Sequence, residues 1–254
     1  MNNKSSAFLN PKHNFFCPEI AENGKDTVAL AEDESRHALR VLRLNEGDVV
    51  GLLDGRGTVA QAEVVRTGGG GRHPVVTAGI IECCKVEPPA VRLELFIATP
   101  RAKLMTQVVR QSTELGVSRI TPVICEHNVA KPDSGEPKNR WLKEAVVAVK
   151  QSGNPFLPRI DGAVSFEDAV KRAPNSGVYG HAGGEGAGGL LDGEQAAVPE
   201  IGLWVGPEAG FSQHEVAILE ENNYKPVSAG PWILRIETAV PTLIGWLRGR
   251  GVNV

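Results

Sequence analysis

Apolar and polar residues alternate in short runs over the first third of the chain, a pattern typical of β-strands. The runs lie at 27–30, 49–53, 58–65 and 75–81, and Asp54-Gly55 between two of them is a hairpin signal. Many short strands at close spacing predict a small all-β sandwich or barrel. The glycine run 68–71 predicts a flexible connection between strands.

One helix interrupts this β region. The apolar spacing predicts it over 33–44, with Asp33 or Ser35 as its N-cap. Its polar face is basic, and the side chains on or beside that face are Arg36, His37, Arg40 and Arg43. A solvated helix face explains this pattern, but aligned arginines also suit a phosphate backbone, because each guanidinium can bind phosphate oxygens with two donors.

The pattern changes after Glu87-Pro88-Pro89, which predicts a linker and divides the chain into domains 1–88 and 89–254. Beyond it, strands alternate with longer helices. Predicted strands lie at 91–98, 120–125, 178–179, 201–205 and near Val227, and predicted helices at 103–115, 139–151, 212–221 and 237–248. This alternation predicts a mostly parallel sheet covered on both faces.

A glycine motif in this half does not indicate nucleotide binding. Gly184, Gly186 and Gly189 match G-x-G-x-x-G, but the dinucleotide motif requires a strand before it and a helix after it. The following residues contain Gly193 and Pro199, so we predict a flexible surface loop. The chain also lacks a Walker motif and a G-x-S-x-G elbow, which disfavours phosphotransferases and hydrolases.

Composition places the 254 residues in the soluble globular class, with 41% hydrophobic and 22% charged residues. Apolar runs are too short to span a membrane, and the first residues do not resemble a signal peptide, so we expect a cytoplasmic protein. The four cysteines are expected to be reduced, and the histidine spacing indicates no metal site. At a net charge of −3, a nucleic acid would have to bind a local basic patch.

Two glycine-proline loops of the second half carry the most chemical information. In 205–215, an apolar strand leads into Gly206-Pro207, and Ser212 with Glu215 forms a predicted capping box. In 229–239, a second Gly-Pro turn precedes another helix start. Small residues after a parallel strand let a ligand approach the backbone, so the two loops predict a shared site.

Together these loops resemble the RsmE family, the 16S ribosomal RNA uridine N3 methyltransferases of the SPOUT class. The matching motifs read G-P-E-A-G-F-S-x-x-E at 206–215 and G-P-x-I-L-R-x-E-T-A at 230–239. Residues 36–43 resemble the family's H-x-x-R-V-L-R stretch, residues 113–122 its E-L-G-V-x-x-I-x-P, and residues 151–153 part of its E-Q-S-G-R. The resemblance spans most of the chain.

The resemblance implies a PUA-like β-barrel domain followed by an α/β SPOUT domain that ends in a trefoil knot. It implies S-adenosylmethionine as the methyl donor and a homodimer in which each pocket borders the partner. RNA binding falls to the basic helix, and Trp232, a departure from the family, is suited to stacking on a base. The implied cofactor-binding residues are Gly180, His181, Gly206, Glu208, Gly210, Ala229, Gly230, Ile233, Leu234 and Thr238.

Methylation of uridine N3 requires removal of a proton or stabilisation of the resulting anion. Arg235 is the candidate for stabilising the charge, and either Glu237 or Glu114 is the candidate for orienting Arg235 or accepting the proton. The chain departs from the usual family residues at four places, which are Trp232, Ile236, Lys150-Gln151 and Asn154. Two cations expected near the pocket are thereby missing, and one is gained at Lys150.

Two other classes of function stay open. The first is an RNA-binding homologue that has lost transfer activity, which the missing arginines favour and the intact Arg235-x-Glu237-Thr238 disfavours. The second is a SPOUT methyltransferase for another RNA, such as transfer RNA. The arginine helix in an N-terminal barrel favours 16S ribosomal RNA in the small subunit.

Overall fold

The computed structural model describes residues 11–20, 26–69, 73–128, 137–186 and 199–249. Packing separates two units. The first comprises Met1–Pro88 and Val146–Leu157, and the second comprises Pro89–Ala145 and Pro158–Val254. The sequence-based division had placed 146–157 in the second domain, whereas the structure packs this segment with the first unit.

The first unit contains a five-stranded sheet in the order β1-β3-β4-β5-β2. Its strands are β1 (Asn14–Phe16), β2 (Thr27–Ala29), β3 (Val49–Leu53), β4 (Thr58–Gly68) and β5 (Val75–Lys85). The predicted hairpin is confirmed, since β3 and β4 pair antiparallel and Gly55 between them has φ +74°. The four predicted strands are confirmed as well, whereas the short strand β1, which pairs parallel with β3, was not predicted.

The basic helix differs from its prediction. It begins as an α-helix, α1 (Glu32–His37), and continues as a π-helical turn over Ala38–Leu42. Neither predicted cap is used, because Ala31 occupies the N-cap without a side-chain bond. The Ser35 hydroxyl instead donates to the Leu30 carbonyl and accepts from the Val76 N–H, both at 3.1 Å. This buried hydroxyl fastens the helix to β5.

Lys150 belongs to the first unit. Its backbone carbonyl accepts a hydrogen bond from the Asn14 side chain at 3.1 Å. Its Nζ donates to Oε1 of Glu34 at 2.6 Å, and both side chains are largely buried. The sequence predicts a cation gained near the pocket at this position, and the structure shows its ammonium paired with Glu34.

The second unit contains a parallel sheet in the order β12-β10-β11-β6-β7-β8, with β9 also pairing with β7. Its strands are β6 (Arg92–Ala98), β7 (Arg119–Ile124), β8 (Arg159–Ile160), β9 (Val164–Ser165), β10 (Gly177–Gly186), β11 (Glu200–Val205) and β12 (Tyr224–Ser228). All its pairs are parallel, as predicted. Nearly every residue of β6 and β11 is buried, which explains their continuous apolar runs.

In the described ranges, four helices connect these strands and a fifth follows β12. They are α2 (Ala102–Glu114), α3 (Pro137–Ser152), α4 (Phe166–Val170) and α5 (Gln213–Glu221), and then α6 (Ile236–Gly249). The predicted strand-helix alternation is confirmed, although β8, β9 and α4 were not predicted. In the core, Phe96 stacks on Trp204 with ring centroids 4.5 Å apart. Within the described ranges, none of the helices has the length and apolar character needed to cross a bilayer.

Strand β10 corrects the prediction of a loop at 184–189. Only Val178-Tyr179 were predicted as strand, but β10 runs on to Gly186, and Glu185 and Gly186 align with Val227 and Ser228 of β12. The register shifts between Gly180 and Glu185, so the chain bulges at 181–184 before pairing resumes. Residues 187–198, which include Gly189 and Gly193, lie outside the described residues.

Candidate functional site

A cavity of about 290 Å³ lies at the carboxyl ends of three neighbouring strands, β12, β10 and β11. Ligands of parallel α/β sheets bind at this edge. The structure brings most of the predicted cofactor residues to its wall, namely Gly180, His181, Gly206, Glu208, Gly210, Ala229, Ile233 and Leu234. Gly230 and Thr238 are not among the lining residues.

The loop after β11 forms the first wall. Gly210 donates its N–H to the Pro207 carbonyl at 2.8 Å and has φ +79°, so a tight turn sets the course of this loop. A Cβ atom on Gly206 would lie 3.1 Å from two ring carbons of Phe211, which also lines the cavity. Because residue 206 is a glycine, the Phe211 ring has room to form part of the cavity wall.

The loop after β12 forms the second wall. The Ser228 hydroxyl donates to the Gly230 carbonyl at 2.6 Å and accepts from the Gly230 N–H at 3.3 Å, which closes the turn on itself. Trp232 and Ile233 follow at the rim, with 78% and 81% of their surface exposed. Ile236, one of the departures from the usual family residues, is buried and gives this wall an apolar side chain.

The bulge of β10 forms the third wall and orients His181. The Gly183 N–H donates to Nδ1 of His181 at 3.1 Å. Because Nδ1 accepts this bond, the proton of the neutral ring lies on Nε2, and the exposed imidazole presents a donor at that nitrogen. Packing behind the bulge is close, since a Cβ on Gly180 would lie 3.1 Å from Leu243 of α6.

Glu215 and His127 support the site and were not predicted to do so. The capping box of α5 is confirmed, with the Ser212 N–H donating to Oε2 of Glu215 at 2.8 Å. Oε1 of the same carboxylate accepts the Glu126 N–H at 2.9 Å, and Nδ1 of His127 donates to the Gly210 carbonyl at 3.2 Å. Burial, and then the Glu215 carboxylate, raise the pKa of the adjacent Cys125 thiol, so this cysteine stays protonated.

The structure separates the two candidate proton acceptors. Glu237 is half-buried in the first turn of α6, beside the pocket residue Ile236. Glu114 ends α2 beside Gly116, whose carbonyl accepts from Arg248 at the other end of α6 at 2.6 Å. Eleven positions of helix separate Glu237 from Arg248, which is about 16 Å. Within one subunit Glu114 therefore lies at the opposite edge of the sheet from the pocket.

Arg235 is exposed and immediately precedes α6, between the pocket residues Leu234 and Ile236. Its backbone carbonyl accepts the N–H groups of Thr238 and Ala239 at 2.9 and 2.7 Å, which starts the helix. No hydrogen bond or ion pair of its guanidinium is seen within the described ranges. The backbone of Arg235 thus serves the fold, and its side chain is available to a ligand.

Comparison with known proteins identifies the family. The model of the RNA methyltransferase domain matches residues 87–248, and that of the RNA methyltransferase PUA domain matches residues 30–71. The chain belongs to the RNA methyltransferase family. The resemblance to RsmE is confirmed in the same comparisons: ribosomal RNA small subunit methyltransferase E of Aquifex aeolicus is 28% identical, with 92% of this chain and 98% of that protein covered.

Solved structures agree. The small subunit methyltransferase E of Neisseria gonorrhoeae, solved with S-adenosylmethionine, is 26% identical at a TM-score of 0.80, covering 94% of this chain and 97% of that one. A Legionella pneumophila methyltransferase in complex with the same cofactor is 26% identical at a TM-score of 0.80, and the match covers 93% of this chain and 97% of that one. This RNA methyltransferase therefore has the SPOUT fold and a PUA-like domain. The trefoil knot stays a prediction.

The basic residues of the PUA-like domain do not form the predicted regular row. The π-helical turn changes the helical period, and Arg43 lies beyond it in a left-handed conformation with φ +56°. Arg36 pairs with Glu32 one turn before it, and the His37 ring packs edge-on against Phe15. Arg36, Arg40 and Arg43 are nevertheless all exposed, so the methyltransferase still presents a basic surface here.

Proposed function

We propose that this RNA methyltransferase uses S-adenosylmethionine to methylate N3 of a uridine in 16S ribosomal RNA of the small ribosomal subunit, as a cytoplasmic homodimer. The observation that carries the proposal is the pocket at the carboxyl edge of β10, β11 and β12, which brings the two sequence motifs together. The names of its relatives support the choice of RNA.

The pocket fits S-adenosylmethionine. Its walls combine apolar side chains such as Val205, Val227 and Leu243 with the backbone of two glycine-containing turns. Apolar walls suit an adenine ring, and backbone groups in tight turns supply hydrogen bonds for a nucleoside. A Cβ atom on Gly210 would meet nothing within 4 Å, so the space beside this glycine is open. When bound, the cofactor supplies a methyl group on a positively charged sulfur.

The residues around the pocket must then accept the N3 proton of uridine and stabilise the negative charge that its loss leaves on the uracil ring. We assign Glu237 as the acceptor of the uridine N3 proton, because it lies beside the pocket whereas Glu114 lies at the far edge of the sheet. Arg235 is assigned to stabilise the negative charge that develops on the uracil ring as the proton leaves. The methyl group takes the place of the proton on N3.

RNA is held by the basic surface of Arg36, His37, Arg40 and Arg43 and by Trp232 at the pocket rim. An indole with 78% of its surface exposed beside a nucleoside pocket can stack on a base, a contact worth about 1 to 3 kcal/mol in single-strand binders. Trp232 occupies the place of a usual family arginine. Stacking on a base would therefore replace part of the affinity that an arginine supplies by binding a phosphate.

The test measures binding and product separately. Calorimetry should detect S-adenosylmethionine binding to the purified protein, and mass spectrometry of RNA from a deletion strain should show loss of one N3-methyluridine from 16S ribosomal RNA. Cofactor binding with unchanged ribosomal RNA but a missing transfer RNA methylation would select the other substrate class. Absence of both cofactor binding and any missing methylation would overturn the enzyme assignment in favour of an RNA-binding homologue.

A further inference from the structure

Several cations of the methyltransferase unit that the structure describes have anionic or carbonyl partners. Arg119 and Arg159 share Asp161, at 2.6 and 2.9 Å, and Lys171 binds Asp168 at 2.9 Å. Arg92 pairs with Glu200, and Arg248 binds backbone carbonyls at the end of α2. Such partners reduce what these side chains can offer to a ligand.

Among the described cations without such a partner, four lie near the starts of α2 and α3. They are Arg101, Lys103, Arg140 and Lys143, and we call this group the cationic edge. All four are exposed, and within the described ranges none of them shows an ion pair or a hydrogen bond of its charged group. Nor does either helix have an acidic residue in its first turn, whereas α4, α5 and α6 each have at least one.

The fold brings these four residues together. Helices α2 and α3 each leave the carboxyl edge of the parallel sheet and return to its other edge, so they run side by side in the same direction. Arg110 and Glu144 join them, with Nε of the arginine donating to Oε1 at 2.6 Å. Lys103 lies seven positions before Arg110 and Arg140 four before Glu144, which is about 10 Å and about 6 Å nearer the carboxyl edge.

The cationic edge adjoins the pocket along the sheet. β11, which carries the Gly206 loop, pairs with β6, and Val205 aligns with Ile97. Ile97 therefore lies one strand spacing, about 4.8 Å, from Val205, and Arg101 follows four residues after Ile97. Of the described acidic residues near this edge, Glu126 and Glu208 lie on the loops after β7 and β11 and not on the two helices.

We propose that the cationic edge binds backbone phosphates of the substrate RNA beside the nucleotide that enters the pocket. The inference rests on the proposed function, which brings RNA to this edge of the sheet. Unpaired exposed cations on two parallel helices, together with the positive ends of those helices, favour a polyanion. The surface would orient the strand on the methyltransferase unit, in addition to whatever the PUA-like domain holds.

The experiment compares RNA affinity at several salt concentrations. Lys103→Ala combined with Arg140→Ala should reduce the slope of log affinity against log salt concentration by about 1.5. The ratio of wild-type to variant affinity should therefore fall about eightfold from 50 to 200 mM salt. The probe is transcribed 16S ribosomal RNA with S-adenosylmethionine present. The matched control is Lys225→Ala, an exposed cation near the amino end of β12, at the other edge of the sheet. Its slope should equal that of the wild type.

Activity gives a second readout. In single-turnover transfer, the double variant should need more protein for half-saturation and reach the wild-type rate at saturation, because its chemical groups are intact. Calorimetry should show unchanged affinity for S-adenosylmethionine. An unchanged salt slope in the double variant, or an equal change of slope in Lys225→Ala, would refute RNA binding by the cationic edge.

The outcomes separate this proposal from the function beneath it. If the wild-type protein methylates RNA but the double variant has an unchanged salt slope, only the RNA-binding role of the cationic edge is refuted. A wild-type protein that binds RNA with the predicted slope difference but transfers no methyl group supports the surface and removes the enzymatic function. If the wild type binds no RNA, the cationic edge is refuted whatever the outcome of the cofactor measurement.

Discussion

Glu215 accepts a hydrogen bond from the backbone N–H of Glu126 at 2.9 Å, although 89 positions separate the two residues. The other carboxylate oxygen caps α5 through Ser212. One buried side chain thus joins the loop after β7 to the loop that lines the pocket. The position of the Gly206–Gly210 turn therefore depends on a residue that does not itself line the cavity.

Glu215→Ala should weaken both the fold and the pocket. Removal of the carboxylate leaves two backbone N–H groups without their acceptor, which we expect to lower the free energy of unfolding by about 2 to 3 kcal/mol. Affinity for S-adenosylmethionine should fall as well. Urea denaturation and calorimetry measure the two effects. Glu221→Ala, an exposed acid at the end of the same helix, should change neither, and equal effects in both variants would contradict the role of Glu215.

Gly206 and Gly210 should be needed for different reasons. Gly206→Val would press on the Phe211 ring and distort the pocket wall, so calorimetry should show no cofactor binding. Gly210→Val has open space but a φ of +79°, which costs a β-branched residue about 1 to 2 kcal/mol or more. Gly210→Asn, which tolerates this conformation, should retain most of the affinity.

The control for both glycines is Gly245→Ala. This glycine lies exposed in α6 with open space around it, so alanine should raise stability by up to about 1 kcal/mol and leave the cofactor affinity alone. Undiminished cofactor binding in both Gly206→Val and Gly210→Val would remove the pocket from this loop.

Local sequence patterns predicted most helices and strands and much of the pocket. They did not predict features that depend on contacts between residues far apart in the chain. Ser212 and Glu215 are three residues apart, so the sequence predicts their capping box. The bond of the same carboxylate to Glu126 has no local signal. The π-helical turn that displaces Arg43 was likewise unpredicted, because apolar spacing alone does not distinguish 3.6 from more residues per turn.

The basic surface of the PUA-like domain should determine RNA affinity without affecting chemistry. Replacement of Arg36, Arg40 and Arg43 by alanine should lower the log-log salt slope by roughly one unit for each phosphate that the protein no longer neutralises. S-adenosylmethionine binding should not change. Arg66→Ala, an exposed arginine on β4, is the matched control. A wild-type salt slope in the triple variant would assign this face to solvent.

Glu237 and Glu114 should differ in their effect on transfer. Glu237→Gln removes a proton acceptor beside the pocket, and we expect the single-turnover rate at neutral pH to fall about 100-fold, in the range of general base catalysis. Glu114 lies near Arg248 at the far end of α6, so Glu114→Gln should leave the rate unchanged. The reverse result would show that Glu114 reaches the reaction, and in a homodimer it would do so from the partner subunit.

Arg235→Lys should slow methyl transfer while retaining the binding of cofactor and RNA. Lysine supplies a point charge in place of a planar guanidinium, so the uracil anion would be stabilised less well, and we expect a loss of at least about tenfold in the single-turnover rate. The backbone bonds that Arg235 makes to Thr238 and Ala239 persist in the variant, so its melting temperature should equal that of the wild type.

The pH dependence of Arg235→Lys distinguishes a catalytic from a structural role. As pH rises, solvent removes more of the N3 proton, and an arginine that stabilises the anion becomes less necessary. The rate defect should therefore shrink with increasing pH. If Arg235 instead only supported the fold, the defect would be constant with pH and would accompany weaker dimerisation or a lower melting temperature. Transfer rates across pH, measured beside a thermal melt, decide between the two, and a constant defect with a destabilised fold would refute the catalytic assignment.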